Sequence, residues 1–501
     1  MSTTKRLLLV EPPFYRLYKD TYALDLYPLS LAYLAATVKR DTDWDVLVYN
    51  SDFIANAEPL QFGYMAGDGY TSYLKNIKSQ SAKVWQEVRA AIRDYQPTVV
   101  GISAKAQNFA SARIVAGIVR ELCPSATVVV GGPHPSMVRE DVFKCPEIDV
   151  CVVGEGEATL IELLQKISTK QDLDDVNGVC FRKNGRIVTT KPREFIGDLD
   201  SLPYPHEYAS RVLKDYAKYP VIAFKSVFAI RGCPYCCSFC GSRYIWSRKA
   251  RFRSPENVAL EIQALQKKGV NTVRFDDDTF GVNKDFINKL CAALIKYCPG
   301  IKWSCELHVK LVNEETLSAM KAAGCYSIHI GLESGDNGVL REIKKNITIE
   351  EAFAANNMIR KMGIESHAFF MIGFPNETED TLAHTCDAMQ KIDSDTVIYS
   401  VFTPYPGTEL FELCKKQGSV PEDFDVSLYN HQSPVNYFCL KIPQERFRKL
   451  AAEIAQMVDR KNNSAGIRRI FSVMTFRKLR EVGFRGATQK GLSLLRGCLG
   501  R

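Results

Sequence analysis

Long apolar runs are absent from this sequence. Although 46% of its 501 residues are hydrophobic, no stretch approaches the roughly 18 uninterrupted apolar residues of a membrane span. The sequence begins Met-Ser-Thr-Thr-Lys, without the apolar segment of a secretory signal. We therefore expect a soluble, cytoplasmic protein, long enough to bury two hydrophobic cores.

Cysteines paired as in disulfide frameworks or zinc sites are also absent. The sixteen cysteines are scattered without the spacing of a disulfide framework. Downstream of residue 240 no further C-x2-C pair, and no cysteine pair with a histidine pair at a fixed spacing, completes a zinc knuckle or ribbon. Zinc remains the main alternative to the interpretation that follows.

Three cysteines on one short segment form a C-x3-C-x2-C array. They are Cys233, Cys237 and Cys240, with Phe239 directly before the last. No fourth cysteine follows at a ferredoxin-like spacing, so three thiolates can hold three irons of a cubane 4Fe-4S cluster and leave one iron open. Cys236 interrupts the array, and we interpret it as a bystander thiol or a small packing residue.

This array resembles the cluster loop of the radical S-adenosylmethionine (SAM) enzymes. The resemblance covers most of the chain. It implies that the amino and carboxylate groups of SAM chelate the open iron. It also implies an external electron donor of the flavodoxin or ferredoxin kind.

The first part of the chain, residues 1–169, alternates short β-branched runs with helical patterns. This alternation predicts an α/β fold with a doubly wound parallel sheet. The segment 54–81 is too long for a plain connection and is interpreted as an embellishment at the sheet edge. The predicted strands cover residues 7–10, 46–49, 99–103, 127–130 and 150–153.

Proline and glycine cluster at the carboxyl ends of these strands, where such sheets bind ligands. Glycine there lets the backbone approach a large flat ligand closely. Taken together, the strand ends resemble the cobalamin-binding domain of the B12-dependent radical SAM branch. The residues that this resemblance assigns to cobalamin are Pro12, Pro13, Ser103, Gly131, Gly132, Gly154, Glu155 and Gly156.

The Asp-x-His-x-x-Gly motif, whose histidine ligates cobalt in other cobalamin enzymes, is missing. The resemblance therefore implies base-off cobalamin without a protein histidine ligand. His134 stands between two prolines. We expect it to line the cofactor edge or to face solvent rather than to ligate cobalt.

The βα rhythm resumes after a proline-containing segment, residues 170–220, which we interpret as a linker. Over residues 221–430 the resemblance implies a partial (β/α)6 barrel, open on one side for a large substrate. A helical extension follows over residues 431–501. Six barrel strands are predicted. The second ends at residue 275, and the others cover residues 226–230, 302–307, 327–330, 368–372 and 397–402.

Polar residues end several of the barrel strands, where β/α barrels place their chemistry. Asp277 and Asp278 occupy the place of the family's Gly-Gly-Glu motif, although an acidic run can also be a solvated turn. Carboxylates there can accept hydrogen bonds from the SAM ammonium group. The resemblance assigns SAM binding to Phe239, Asp277, Asp278, Glu333, Ser334 and Gly373.

Both cofactors together imply C-methylation of an unactivated carbon as the leading function. A radical oxidative cyclisation is the alternative within enzymes, and a cobalamin or redox sensor is a more distant one. The substrate is expected to be a small molecule or a lipid, and the sequence does not identify it.

Basic residues dominate the end of the chain. Residues 460–501 hold eleven Lys or Arg and one acid, Glu481, so this tail carries +10 and the rest of the chain carries 8 − 10 = −2. A basic amphipathic helix there predicts peripheral contact with the inner face of a membrane, and packing on the barrel is an equal alternative. Nucleic-acid binding is disfavoured because no aromatic-rich recognition module accompanies the charge.

Overall fold

The first sheet is built from short runs of Val, Ile and Leu, which are typical of strands buried on both faces. The structure is a computed structural model that describes residues 5–24, 26–431 and 433–471. The strands of the first sheet follow in chain order: β1 Arg6–Glu11, β2 Asp45–Asn50, β3 Val99–Ser103, β4 Thr127–Gly131 and β5 Val150–Val152.

These strands run parallel in the order β2-β1-β3-β4-β5. Leu8 and Val10 face one apolar core, whereas Leu7 and Leu9 face another. The doubly wound sheet is thereby confirmed, and the segment 54–81 forms two helices. The helices of this part are α1 Tyr15–Tyr18, α2 Leu29–Asp41, α3 Phe62–Ala66, α4 Asp68–Ser79, α5 Lys83–Tyr95, α6 Phe109–Leu122, α7 Pro133–Val138 and α8 Glu157–Thr169.

The segment 170–220 is more ordered than the predicted linker. Strands β6 (Val179–Lys183) and β7 (Arg186–Thr189) extend the first sheet as an antiparallel hairpin on β5. Asn184 and Gly185, both with positive φ, form the hairpin turn, and this Asn-Gly pair is the signal that predicts it. Helix α9, Pro205–Val212, then packs on α2.

The second sheet begins with β8 (Ser226–Val227). A small antiparallel pair, β9 (Ile230–Arg231) and β10 (Arg251–Phe252), follows it. All strands of the second sheet are parallel, in the order β15-β14-β13-β12-β11-β8, and among the described residues its two outer strands do not pair with each other. The partial barrel is thereby confirmed. Its remaining strands are β11 Thr272–Phe275, β12 Lys302–Leu307, β13 Cys325–Glu333, β14 Glu365–Ile372 and β15 Thr396–Val401.

Polar N-cap residues start most of the longer barrel helices. In each case the side chain accepts a backbone N–H of the first turn, which would otherwise lack a partner; Ser254, Asn283 and Thr348 are examples. The helices are α10 Arg243–Trp246, α11 Pro255–Lys267, α12 Lys284–Tyr297, α13 Glu314–Ala322, α14 Asn337–Glu342, α15 Ile349–Lys361, α16 Glu379–Lys391, α17 Glu409–Lys416 and α18 Gln444–Phe471.

Helix α18 is fixed to the outer barrel strand. The amide of Asn462 bonds both backbone groups of Val397, at 2.9 and 2.8 Å. Within the described part of the chain, no helix combines the length and the apolar character needed to cross a membrane. Most of the basic tail, residues 472–501, lies outside the described residues.

A strap, residues 425–436, joins the barrel to the first sheet. Tyr73 and Tyr70 donate hydrogen bonds to the carbonyls of Ser427 and Leu428, at 3.0 and 2.9 Å. Asn430 donates to the Tyr18 hydroxyl at 2.6 Å. The strap therefore holds the two sheets of the molecule in one arrangement.

Candidate functional site

The cysteine array lies beyond the carboxyl end of β8. Cys233, Cys237 and Cys240 line one cleft of about 470 Å³. Phe239 lines the same cleft and packs against Phe374. The loop thus brings together the three thiols that the sequence predicts as ligands.

Cys233 and Cys237 are half-buried, whereas Cys240 is exposed. Partial loss of hydration raises the pKa of Cys233 to about 11 and that of Cys237 to about 12, and it also raises the pKa of Cys240. Metal binding must therefore displace their protons. Among the described residues, no three potential ligands converge on one point as the ligands of a single ion do. Cys236 is not among the residues that line the cleft.

Asp278 and Asp277 have different surroundings. Asp278 lines the cleft and accepts a hydrogen bond from the Ser242 hydroxyl at 2.5 Å. Asp277 is buried beneath the loop, where Oδ1 accepts the backbone N–H groups of Ala229 and Ile230 at 2.8 and 3.0 Å. Burial raises the pKa of Asp277 to about 8. Asp277 therefore supports the backbone that leads to the cysteines.

Glu333 is paired with a lysine that sequence reasoning missed. Lys345 Nζ lies 2.8 Å from Glu333 Oε1, and both side chains line the cleft. Glu333 has φ +67, at an irregularity in the β13–β14 register. Such backbone strain in a non-glycine residue is concentrated at functional sites. The signal for Lys345 was weak, because it stands in an ordinary Lys-Lys pair after α14.

Ser334 and Gly373, both predicted to bind SAM, do not line this cleft. The Ser334 hydroxyl is buried 3.0 Å from the Thr385 hydroxyl and accepts the backbone N–H of Asp336. Gly373 has φ +86, and a Cβ there would stand 2.9 Å from the Phe447 ring. Both residues shape the strand ends around the site.

The inner face of the barrel supplies the other wall of the cleft. His329, Gly331 and Glu333 face it from β13, and their two-residue spacing is the signal that predicts a shared face. Burial lowers the pKa of His329 to about 4, so this imidazole is neutral at pH 7. Tyr399 of β15 and His431 of the strap complete this wall.

The strand ends that the sequence assigns to cobalamin share one edge of the first sheet. Neighbouring parallel pairing of β1, β3, β4 and β5 places their carboxyl ends together. At this edge, Lys105 and Glu11 form an ion pair at 2.9 Å. The buried Asp52 carboxylate accepts the backbone N–H groups of residues 14–16 at 3.0 to 3.1 Å. It thereby fixes the segment that follows Pro12 and Pro13.

The comparisons with known proteins identify the family. A model of the radical SAM superfamily matches residues 227–389, and a model of the B12 binding domain matches residues 15–164. An uncharacterized methyltransferase of Pyrococcus horikoshii is 31% identical over 409 residues, covering 81% of this chain and 82% of the relative. The chain belongs to the cobalamin-dependent radical SAM family.

One further sequence relative and one solved structure are also similar to this chain. The anaerobic magnesium-protoporphyrin IX monomethyl ester cyclase of Rubrivivax gelatinosus is 29% identical over 385 residues, covering 74% of this chain and 68% of the relative. The radical SAM methyltransferase TsrM from Kitasatospora setae, solved with cobalamin and a 4Fe-4S cluster bound, has a TM-score of 0.67 at 17% identity. This match covers 91% of this chain and 89% of that chain, and it shows a shared fold.

The cofactors of this radical SAM enzyme are a 4Fe-4S cluster, SAM and cobalamin. Its residues fit the cluster and SAM, because three thiols, an acid and a buried ion pair share one cleft. The glycine-rich sheet edge fits a flat macrocycle.

Protein atoms crowd two of the glycines that are predicted to contact cobalamin. Gly132 has φ +105, and a Cβ there would stand 3.0 Å from the Ala104 carbonyl oxygen. At Gly156 a Cβ would meet the Leu34 side chain at 3.0 Å. Neighbouring protein atoms therefore already restrict a larger side chain at both positions, and the expected close approach to the corrin stays a prediction.

Glu155 and His134 also differ from their predicted surroundings. Glu155 is buried in ion pairs with Arg231 and Arg251 of the barrel. His134 is 5% exposed and its ring packs on Phe109 at a centroid distance of 4.4 Å, so of its two expected positions exposure to solvent is wrong, and the position at the cofactor edge stays a prediction. Burial lowers the pKa of His134 to about 4.

Proposed function

We propose that this enzyme methylates an unactivated carbon of a small-molecule substrate. The observation that carries the proposal is the shared cleft, in which the cluster cysteines face the inner wall of an open barrel. The first sheet, which matches the B12 binding domain, is fixed beside it by the strap. The methyltransferase relative supports the same reaction class.

When bound, the reduced cluster and SAM supply a 5′-deoxyadenosyl radical, and methylcobalamin supplies the methyl group. The protein residues bind and orient these groups and exclude water. We assign the iron ligands to Cys233, Cys237 and Cys240. The residues assigned to SAM are Phe239, Asp278, Glu333 and Lys345.

Lys345 is assigned to the SAM carboxylate because it is a buried cation beside the cluster loop. Its side chain is about 10% exposed and forms an ion pair with Glu333. A cation held in this way attracts an incoming carboxylate strongly, because water does not screen it. Asp278, which lines the same cleft, suits the SAM ammonium group.

For cobalamin, we assign contact to the edge residues whose backbone stands at the carboxyl ends of the strands. The set comprises Pro12, Pro13, Ser103, Gly131, Gly132 and Gly154. Since no histidine occupies the motif position after β1, we expect the base-off form.

Oxidative cyclisation is the second candidate function, and the cyclase relative favours it. The two reactions share SAM cleavage and differ in what happens to the substrate. Methyl transfer from SAM to cobalamin separates them.

The test uses the reconstituted full chain with SAM that carries a deuterated methyl group, hydroxocobalamin and dithionite. We expect 5′-deoxyadenosine, and a deuterated methyl group on cobalamin. Cys233→Ala, Cys237→Ala and Cys240→Ala should each lose the iron–thiolate absorption near about 400 nm and SAM cleavage. Cys236→Ala, the matched control, should keep both.

Two outcomes would contradict these assignments. Loss of the cluster in Cys236→Ala with retention in Cys237→Ala would show that the ligand register is wrong. SAM cleavage without any labelled methyl group on cobalamin would favour the cyclase alternative.

We further propose that electrons come from an external flavodoxin- or ferredoxin-like donor. For the basic tail we propose peripheral contact with an anionic membrane surface, supported by its charge of +10 over residues 460–501. A lipid or another membrane-associated intermediate would then be the substrate class.

A further inference from the structure

Two carboxylates of the first sheet bond two arginines that flank the cluster loop. Glu155 accepts from Arg231 Nη1 at 2.8 Å, and Glu157 accepts from Arg231 Nη2 at 2.5 Å. Glu155 also accepts from Arg251 Nη1, at 3.0 and 2.9 Å to its two oxygens. We call these four residues the interdomain ion network.

The network is closed to water. None of its side chains is more than 10% exposed, and its two acids balance its two bases. The guanidinium group of Arg231 also stacks on Phe228, at 4.6 Å from the ring centroid. Removing one partner of such a buried pair leaves an uncompensated charge, which is strongly unfavourable.

On the barrel side, the network ends at the cluster loop itself. Arg231 is followed by Gly232 and then by Cys233. Gly232 has φ +102, and a Cβ there would stand 2.6 Å from the Lys249 carbonyl oxygen. The backbone between Arg231 and Cys233 therefore has little freedom to adjust.

On the other side, the network ends at the edge assigned to cobalamin. Glu155 directly follows Gly154 at the end of β5, and Glu157 begins α8. Glu155 also accepts the backbone N–H of Ile196 at 2.8 Å, so the chain that leads to the barrel joins the same point. A shift of this strand end would be transmitted to Cys233 through the side chains of Glu155 and Arg231.

We propose that Glu155 and Glu157 are positioning residues that hold the cluster loop in register with the cobalamin-binding sheet. SAM binding at the cluster then depends on the first domain, although no residue of the network lines the SAM cleft. This inference rests on the family's cofactors and is independent of whether the product is methylated or cyclised.

The test compares Glu155→Gln and Glu157→Gln in the full chain with a reconstituted cluster. The control is Glu162→Gln, because Glu162 lies on the same helix as Glu157 but pairs with Arg193, which is not part of the network. Three quantities are measured: iron and sulfide per chain, cobalamin binding by absorption, and the electron paramagnetic resonance spectrum of the reduced cluster during titration with SAM.

For Glu157→Gln we expect iron content and cobalamin binding within about twofold of the wild type. The SAM concentration at the midpoint of the spectral change should rise roughly tenfold, which is the size expected for one charge-assisted hydrogen bond. Glu155→Gln should shift the midpoint further, since Glu155 binds both arginines. Glu157→Asp, which keeps the charge, should fall between Glu157→Gln and the wild type.

Wild-type SAM midpoints in both Gln variants would overturn the proposal, as would an equal shift in Glu162→Gln. If Glu155→Gln fails to fold, Glu157→Gln decides, because Arg231 then keeps one partner. A failure of the proposed function would be seen separately, as the absence of labelled methyl on cobalamin while the SAM titration still responds.

Discussion

Neighbouring acids at the end of β11 have separate roles. Asp278 faces the cleft, whereas Asp277 bonds two backbone N–H groups beneath it. Their sequence positions are adjacent, and successive residues at a strand end point in opposite directions. One acid therefore faces the cleft, where we propose that it binds SAM, and the other supports the loop.

Single substitutions should separate these two roles. Asp278→Asn should raise the SAM concentration needed for cleavage about tenfold, since one charge-assisted bond is lost, with unchanged iron content. Asp277→Asn should leave the SAM requirement close to that of the wild type. The measurement is 5′-deoxyadenosine formation against SAM concentration; an equal effect of both substitutions would contradict the separation.

The raised pKa of Asp277 makes the free energy of unfolding depend on pH. Its pKa is about 8 in the folded protein and about 4 in an unfolded chain. Its favourable contribution is thus complete below about pH 4 and is lost as the pH rises through 8. Between pH 5 and 8 the wild type should lose stability relative to Asp277→Asn, by up to about 1.4 kcal/mol per pH unit. Asp276→Asn is the control in urea unfolding.

Lys345 offers a second residue-scale prediction. Lys345→Met should weaken SAM binding by about tenfold or more, since a buried charge-assisted contact is lost and Glu333 is left unpaired. Lys344→Met is the matched control, because its side chain is exposed and pairs with Glu409 at the surface. SAM titration of the cluster signal measures both. Equal midpoints would remove Lys345 from the SAM site.

At the scale of the elements, the conformation of the cluster loop depends on the elements around it. β9 precedes the loop and helix α10 follows it, and β9 is held by antiparallel pairing with β10. Tyr235 within the loop stacks on His308 at a centroid distance of 3.6 Å. Contacts from several elements thus replace the regular hydrogen bonding that a loop lacks.

The glycine that begins this loop should be indispensable. Gly232→Ala should lose most of its iron, because positive φ costs a non-glycine residue about 1 to 2 kcal/mol and the Cβ would clash with the Lys249 carbonyl. Gly185→Ala is the control: it has φ +75 but no atom within 4 Å of the new Cβ. Gly185→Ala should lower the free energy of unfolding only by the backbone strain, and this variant should keep its iron. Iron content and thermal midpoint are measured, and equal iron loss in both variants would contradict the explanation.

At the scale of the whole molecule, the two sheets act as one unit. The strap, the interdomain ion network and the Tyr33–Phe228 contact, at a centroid distance of 4.9 Å, join them at separate places. Two cofactor sites built on different sheets can then keep a fixed relation.

The basic tail allows a whole-molecule prediction. A chain ended after Phe471 keeps Asn462 and its bonds to Val397 but loses residues 472–501, with seven Lys or Arg and one acid. The full chain should float with anionic vesicles, and not with neutral ones, because each basic residue near the surface contributes about 1 kcal/mol. High salt should abolish flotation. Equal flotation of both chains would show that residues 472–501 do not mediate membrane contact and would favour packing of the tail on the protein.

The sequence by itself determined the local elements and predicted the cluster ligands. Apolar strand runs, glycines at the strand ends and the C-x3-C-x2-C spacing are local patterns, since each depends on residues a few positions apart. They predicted the doubly wound sheet, the partial barrel and the family resemblance. The hairpin at Asn184 and Gly185 carried an equally local signal, which the prediction of a linker overlooked.

Only the tertiary structure decided which of these residues share a cleft. Lys345 meets Glu333 across an intervening helix, and Glu155 meets Arg231 although 76 positions separate them. Asp277, Ser334 and Gly373 do not line the cleft, although Asp278 and Glu333, next to the first two in the chain, do. Burial and long-range pairing arise from how the elements pack, and no spacing along the chain specifies them.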